Sequence, residues 1–558
     1  MGCRMCNFLE KMSFEIEKGV AMALLFLFLV PAVQGQVNAD LLRIALEKMT
    51  QTSPALLRGR VLSEIKEVYP FYAQRQFAPV WSEKEKLTEL AYELRFEIRQ
   101  SRYDGLKPSN YHLSLIETFF EAIEKKEALG MAGSSTELLE LEILLSDAFF
   151  ALAEDLDIGK VDPSRLKASW GIPRKSKSWA YEQLLEEAWR RKELRSSLET
   201  LYPKNPSYQK GKLLLRQLED RSKSSPISWK SVKTDKSLHL GESSGFLPEI
   251  RQRLAFWGYS SGGSAKEGKV YDSLLWTQVI AFQKDRGISA EGVIGPSTIS
   301  FLNESPEQLM DKIEVNLERM RWVPSEFFEK EAILVNIPSF RLVYHRGLDT
   351  LFTTKVIVGT VTHPTPVFTA PMSYLVLSPY WNIPPSIAKN ETLPAIKRNS
   401  GYLQKNNMEV VTAGGQAVAL SQVNWNAKPF PYLIRQKPGE SNALGLIKFM
   451  FPNPFNVYLH DTPAKQLFDR EQRTFSHGCI RMQHPQDLAE LLLKSDQDWN
   501  SERLVKAMGA GKEEVVTLSR KISVGIFYFT FWTEGGENPR FFVDVYKRDA
   551  EVLALLRR

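Results

Sequence analysis

The apolar residues of this chain change their period once, near residue 310, and that change limits the fold more than any other feature. Before it they recur at helical spacing. The clearest case is Leu138-Leu139-Glu140-Leu141-Glu142-Ile143-Leu144-Leu145, which runs into Ala148-Phe149-Phe150-Ala151-Leu152 with acidic residues interleaved. Gly159 and Pro163 mark its end. After the change, short β-rich runs take over. Ala332–Ile337 and Phe340–Tyr344, split by Pro338-Ser339, read as a hairpin. Lys355–Gly359, Tyr374–Leu377, Ile447–Phe451 and Val457–His460 continue the series, and Gly525–Trp532 and Phe541–Tyr546 close it. Past residue 481 only Pro485–Lys494 reads as a helix. One sheet cannot absorb both patterns, so the expected class is multidomain α+β.

Four segments follow. Residues 1–35 read as an export signal: Val20–Val30 is an unbroken apolar run of eleven residues, followed by Pro31 and the fairly small Val33 and Gly35, which place a cut before Gln36. The run is shorter than the ~20 residues needed to span a bilayer. Ahead of it Arg4, Lys11 and Lys18 are offset by Glu10, Glu15 and Glu17, so an uncut membrane anchor is the alternative. Either way the bulk of the chain is expected in the periplasm or cell envelope. Residues 36–230 read as a helical scaffold, with a lysine- and serine-rich linker at Arg221–Lys236. Residues 237–303 form a small three-helix unit, and 310–558 a mostly β domain. With 43% hydrophobic residues, several cores can form. The net charge of +6 comes with no long basic run, so no nucleic acid partner is implied, while an anionic wall or membrane surface is compatible.

Reactive chemistry gathers at one place. Cys479 is the only cysteine besides Cys3 and Cys6, which precede the apolar run, so a chain without its leader has one thiol and no internal disulfide. A free thiol is mostly protonated at neutral pH and needs a base to become a nucleophile. His460, at the end of an alternating strand, and His477, two residues before the thiol, are the candidates. Gly478 permits close backbone approach, so the Gly478 and Cys479 amides could form an oxyanion hole. Arg481 adds a donor for a carboxylate or for nearby carbonyls. His112, His239, His345, His363 and His484 show no metal-ligand spacing, and no cofactor or metal is expected. Taken singly, Cys479 fits a small buried residue and His460 a hydrogen-bonded strand histidine equally well.

Spacing and neighbours decide between these. His460, fifteen residues, then Ser476-His477-Gly478-Cys479, a hydrophobic residue and Arg481 resembles the signature of L,D-transpeptidases with a YkuD-type catalytic domain. Pro438-Gly439, Asn442-Ala443-Leu444-Gly445, Lys448-Phe449 and His460-Asp461-Thr462 are typical neighbours in that family. The unit at 237–303 resembles a peptidoglycan-binding domain through Phe256-Trp257-Gly258-Tyr259, Phe282-Gln283 and Gly292-Val293-Ile294-Gly295-Pro296-Ser297-Thr298. The whole order is similar to the YcbB-like subfamily, with Phe71-Tyr72-Ala73-Gln74-Arg75, Asp104-Gly105-Leu106, Thr365-Pro366-Val367-Phe368 and Pro379-Tyr380-Trp381-Asn382-Ile383-Pro384 as matching runs. The resemblance implies that Cys479 attacks the third residue of a tetrapeptide stem, with His460 as base, releasing D-alanine and forming 3→3 cross-links. It also implies a loop-rich capping lid near residues 378–435 and acylation by carbapenems. Many relatives have asparagine where Arg481 stands, so that role does not carry over. The implied partners are peptidoglycan stem peptides and glycan, with other wall-synthesis enzymes as candidate partners of the scaffold. An L,D-carboxypeptidase, a wall-anchoring transpeptidase and a non-catalytic wall-binding protein are the competing readings.

Overall fold

This computed structural model describes residues 37–131, 133–168, 170–224, 227, 229–259, 268–427, 429–533 and 539–558. The expected export signal and its cut before Gln36 lie outside the described residues. Among the described residues no helix is long and apolar enough to cross a membrane.

The chain divides into two compact units. The first gathers the described residues up to Arg102 with those of Leu106–Asp157 and Lys177–Leu201. Its longest helix, Ser135–Ile158, carries the apolar run described above. The acidic residues between those apolar positions do not all face water. Glu142, 1% exposed, accepts from the Tyr72 hydroxyl (2.7 Å), the Trp81 amide (3.1 Å) and the Ser82 hydroxyl (3.1 Å). Asp147, fully buried, accepts from the Glu64 amide at 2.7 Å and pairs with His112 Nε2 at 2.8 Å. Buried acids require such partners, since an unpaired one would cost several kcal/mol. Burial pushes the Glu142 carboxyl upward despite its donors.

The second unit holds Tyr103–Gly105, Ile158–Ser176 and everything from Tyr202 onward. The scaffold expected over 36–230 is therefore not closed on itself. Helix Pro206–Ser224 belongs with the later domains because Tyr208, Leu215 and Leu218 share a core with Leu309, Ile313 and Leu317 of helix Pro306–Arg321. The expected linker is correspondingly shorter, being helical up to Ser224.

Within this unit, helices Leu247–Phe256, Ser273–Asp285 and Pro296–Asn303 pack around Leu254, Leu275, Val279, Phe282 and Leu302 as a three-helix module. The catalytic candidate residues lie in a nine-stranded sheet: β1 (Glu331–Asn336), β2 (Arg341–Arg346), β3 (Asp349–Gly359), β4 (Phe368–Leu377), β5 (Ile447–Met450), β6 (Leu459–His460), β7 (Thr474–Ser476), β8 (Ile480–Met482) and β9 (Glu514–Phe527). Its order is β7-β3-β8-β6-β5-β4-β9-β1-β2, and β2 also pairs with β3, closing the sheet on itself. β1 and β2 form the expected hairpin. The expected strand Gly525–Trp532 is the end of the longer β9 followed by a separate two-residue strand, and of the last expected strand, Phe541–Tyr546, only Phe541 pairs, together with Arg540. Ser501–Met508 and Asp549–Leu556 are helices besides Pro485–Leu493.

The stretch 378–435, expected as a lid, is less loop-rich than expected. Trp381–Asn382, Met408–Val411 and Leu433–Gln436 form a three-stranded sheet. Ile383, Ile396, Leu403, Val410 and Ile434 give it a core of its own.

Candidate active site

Strand register assembles the site. β6 runs parallel to β8, with Leu459 opposite Ile480 and His460 opposite Arg481, while antiparallel β5 places Lys448 opposite His460. Cross-strand partners point to the same face of a sheet. Leu459, Ile480, Ile447 and Phe449 are fully buried on the core face. Lys448, His460 and Arg481 therefore form a row on the other face. One step along lie Tyr458 and Cys479, two residues before His460 and Arg481 and just ahead of the strands that carry them. The Ile480 amide donates to the Tyr458 carbonyl at 3.2 Å, which fixes that step.

The nucleophile turn is held from inside. Gly478 has φ +113°, a region that a side chain rarely adopts. Its carbonyl accepts from the Thr365 hydroxyl at 2.8 Å, and Thr365 Oγ1 in turn accepts from the Gly359 amide at 2.9 Å. The Ser476 hydroxyl donates to the Cys479 carbonyl at 2.5 Å and accepts from the Gly478 amide at 3.1 Å. The Gly478 amide is thus committed to Ser476 and is not the oxyanion donor expected from the sequence.

The thiol of Cys479 is partly exposed, with Sγ 3.8 Å from the Asn456 carbonyl. Its hydrogen-bonding side-chain neighbour is the Tyr458 hydroxyl. Burial pushes the thiol above its ordinary range, while Tyr458 and the positive charges of Arg481 and Lys448 pull it back. His460 lies beside this pair but does not hydrogen-bond the sulfur. It is 4% exposed, and its Nδ1 lies 2.5 Å from the Asp461 carbonyl, with the Leu444 carbonyl accepting as well. Burial, then Arg481 and Lys448, push its pKa down to about 3, so the ring is neutral at neutral pH. Catalytic hydrogen bonds often close only in the complex, and the shared face keeps His460 within the site.

The remaining residues divide clearly. Arg481 has its Nε buried without a hydrogen-bond partner, and its charge acts on Cys479 and His460. His477 turns away: its exposed ring meets Glu391 of the lid at 2.9 Å and lies 5.2 Å from the His363 ring. Tyr458 and Lys448 were not anticipated as functional. The alternation of Val457-Tyr458-Leu459-His460 places Tyr458 on the histidine's face, so the signal for it was present.

Two polar side chains set the geometry around His460. Asp461 accepts from the Leu446 amide (3.0 Å) and from Lys465 Nζ (2.6 Å), and a Cβ at Gly445 would meet its carboxylate at 2.2 Å. Fully buried Asn442 donates to the carbonyls of Pro379 (3.1 Å) and Lys437 (2.9 Å), the two ends of the lid.

Comparisons with known proteins agree with this layout. Residues 66–215 match a scaffold domain, 244–302 a "Putative peptidoglycan binding domain" and 330–506 an L,D-transpeptidase catalytic domain, the YkuD family. A Haemophilus influenzae protein described as a "Putative L,D-transpeptidase" is 34% identical over 319 residues, covering 55% of this chain and 64% of that protein's length. Solved L,D-transpeptidase structures from Xylanimonas cellulosilytica (12% identity, TM-score 0.16, covering 53% of this chain and 100% of that one) and Stackebrandtia nassauensis (15%, 0.20, 52% and 94%) are also similar, too slightly to bear on the argument. Residues 330–506 thus match the YkuD family of L,D-transpeptidase catalytic domains, and residues 244–302 ahead of them match the peptidoglycan-binding family.

Proposed function

We propose that this chain is an exported peptidoglycan L,D-transpeptidase that works through a Cys479 thioester. The observation that carries this reading is one sheet face on which a thiol, its hydroxyl partner Tyr458, a neutral buried imidazole and two cations converge. The donor is a tetrapeptide stem. Cys479 sulfur attacks the carbonyl of the third residue, the C–S bond forms, and the amide bond to the terminal D-alanine breaks. The thiol proton passes through His460 to the leaving amine. A lone imidazolium would be costly between Arg481 and Lys448, but a proton taken from the thiol leaves a thiolate whose charge offsets them. Tyr458 and Arg481 are the donors for the developing oxyanion and for a substrate carboxylate. The side-chain amine of a second stem then attacks the thioester, giving a 3→3 cross-link and restoring the thiol.

The test is intact-protein mass spectrometry of wild type and Cys479→Ala with a carbapenem and then with disaccharide-tetrapeptide. An adduct on wild type alone, followed by 3→3 dimers, is the expected result. Release of tripeptide without dimers would make water the acceptor. A folded wild type with neither adduct nor turnover would overturn the reading.

A further inference from the structure

Away from Cys479, a cleft of about 610 Å³ lies between the three-helix module and the catalytic sheet. Six basic side chains line it against two acidic ones, a net +4 at one spot in a chain whose total is +6. Of the two acids, Glu471 is occupied, accepting from the Ser289 amide at 3.2 Å and the Ser297 hydroxyl at 2.8 Å across the cleft. A recess lined mostly by one sign of charge focuses the field and draws in ligands of the opposite sign.

The second observation is Arg286, at the end of helix Ser273–Asp285. It is 7% exposed and lines this cleft, and a neighbouring one of about 630 Å³ as well. Its guanidinium carbon stands 4.9 to 5.5 Å from the ring centroids of Phe541, Phe282 and Trp257, and Nε is buried without a hydrogen-bond partner. The carboxylates whose charge reaches it each hold another donor: Asp285 accepts from Tyr259 at 2.6 Å, and Glu304 accepts from Lys312 at 2.5 Å through one oxygen, the other being buried without a partner. Burying a charged arginine with its Nε donor unused is costly, so a structural role alone accounts for it poorly. A planar fork set among aromatic rings suits a carboxylate.

We propose that this cleft is a carboxylate-binding site, in which Arg286 takes a free carboxylate of a wall stem peptide held between module and catalytic domain. The choice of a stem peptide rests on the transpeptidase reading; the carboxylate chemistry does not.

The experiment uses the full chain with Cys479→Ala, photo-crosslinked to a diazirine-bearing disaccharide-tetrapeptide and mapped by peptide sequencing. Label within residues 286–301 or 469–473, competed by unlabelled peptide but not by the same peptide with its carboxylates amidated, is the expected result. Arg286→Gln should reduce that label at least tenfold, and Arg286→Lys several-fold. Arg286→Met should melt no lower than its parent, because a buried unsatisfied charge is removed. Label confined to the surroundings of Cys479, equal competition by the amidated peptide, or undiminished label in Arg286→Gln would each overturn the site. If the wild type is never acylated while this label persists, the transpeptidase reading fails and the cleft stands.

Discussion

Cys479 shares its hydrogen bond with Tyr458 rather than with the histidine that the motif brings to mind, and two consequences can be measured. Tyr458→Phe keeps the ring against His460, whose centroid is 5.6 Å away, and removes only the hydroxyl. If that hydroxyl serves the oxyanion, carbapenem acylation should slow by roughly 10²-fold or more, with the fold intact by circular dichroism. The second concerns pH. His460 has its pKa lowered from 6.5 to about 3, so between those values the unfolded chain binds a proton that the folded one refuses. Its contribution to stability is present above about pH 6.5 and is lost progressively as pH falls toward 3. Urea titrations at stepped pH should therefore show a shallower acid slope for His460→Gln, by close to one proton. An unchanged slope would mean that the ring is charged in the folded protein.

Helix Pro306–Arg321 shows how much of the fold depends on polar pairs that sequence patterns do not reveal. Arg321, fully buried, donates to Glu318 at 2.6 and 3.1 Å, to the Asp104 carbonyl at 2.9 Å and to the Tyr208 hydroxyl at 2.8 Å. Glu318 also accepts from the Trp322 indole (3.0 Å) and the Val161 amide (2.7 Å). Removing one partner strands the other, so Arg321→Met should cost about 3–5 kcal/mol in urea unfolding. Adding Glu318→Met should cost less than a second such loss, since the two changes share one network. From sequence, Leu309, Ile313, Leu317 and Met320 mark the buried face of this helix, but Glu318 and Arg321 are only charged letters between them. The β1–β2 hairpin was legible from β-rich runs split by Pro338-Ser339, and the strand carrying His460 from alternation that reports burial directly. Helix Ser501–Met508 was missed although Asn500, whose side chain accepts from the Arg503 amide, is a recognisable cap. The Ser476–Cys479 turn was legible as a motif. The use of the Gly478 amide by Ser476 was not, because it depends on a φ value and a hydroxyl rotamer.

In the second compact unit the module meets the catalytic domain through polar as well as apolar contacts. Glu471 ties the module to the catalytic domain by two hydrogen bonds, so Glu471→Ala should raise hydrogen exchange across Pro296–Asn303 while leaving β5 and β6 protected. Equal protection in both proteins would show that apolar packing alone holds the module. Domain order could be read from the change of apolar period, but the place of helix Pro206–Ser224 could not, because its partner lies about a hundred residues away. Asn442 has a different kind of consequence. By bonding the carbonyls of Pro379 and Lys437, one side chain closes the stretch between them into a loop with adjoining ends. Loop-closure entropy depends only weakly on the length of what is enclosed. The enclosed segment is thus a replaceable cassette: it can lengthen, shrink or be exchanged across generations while the strand bearing His460 and the turn bearing Cys479 stay where they are.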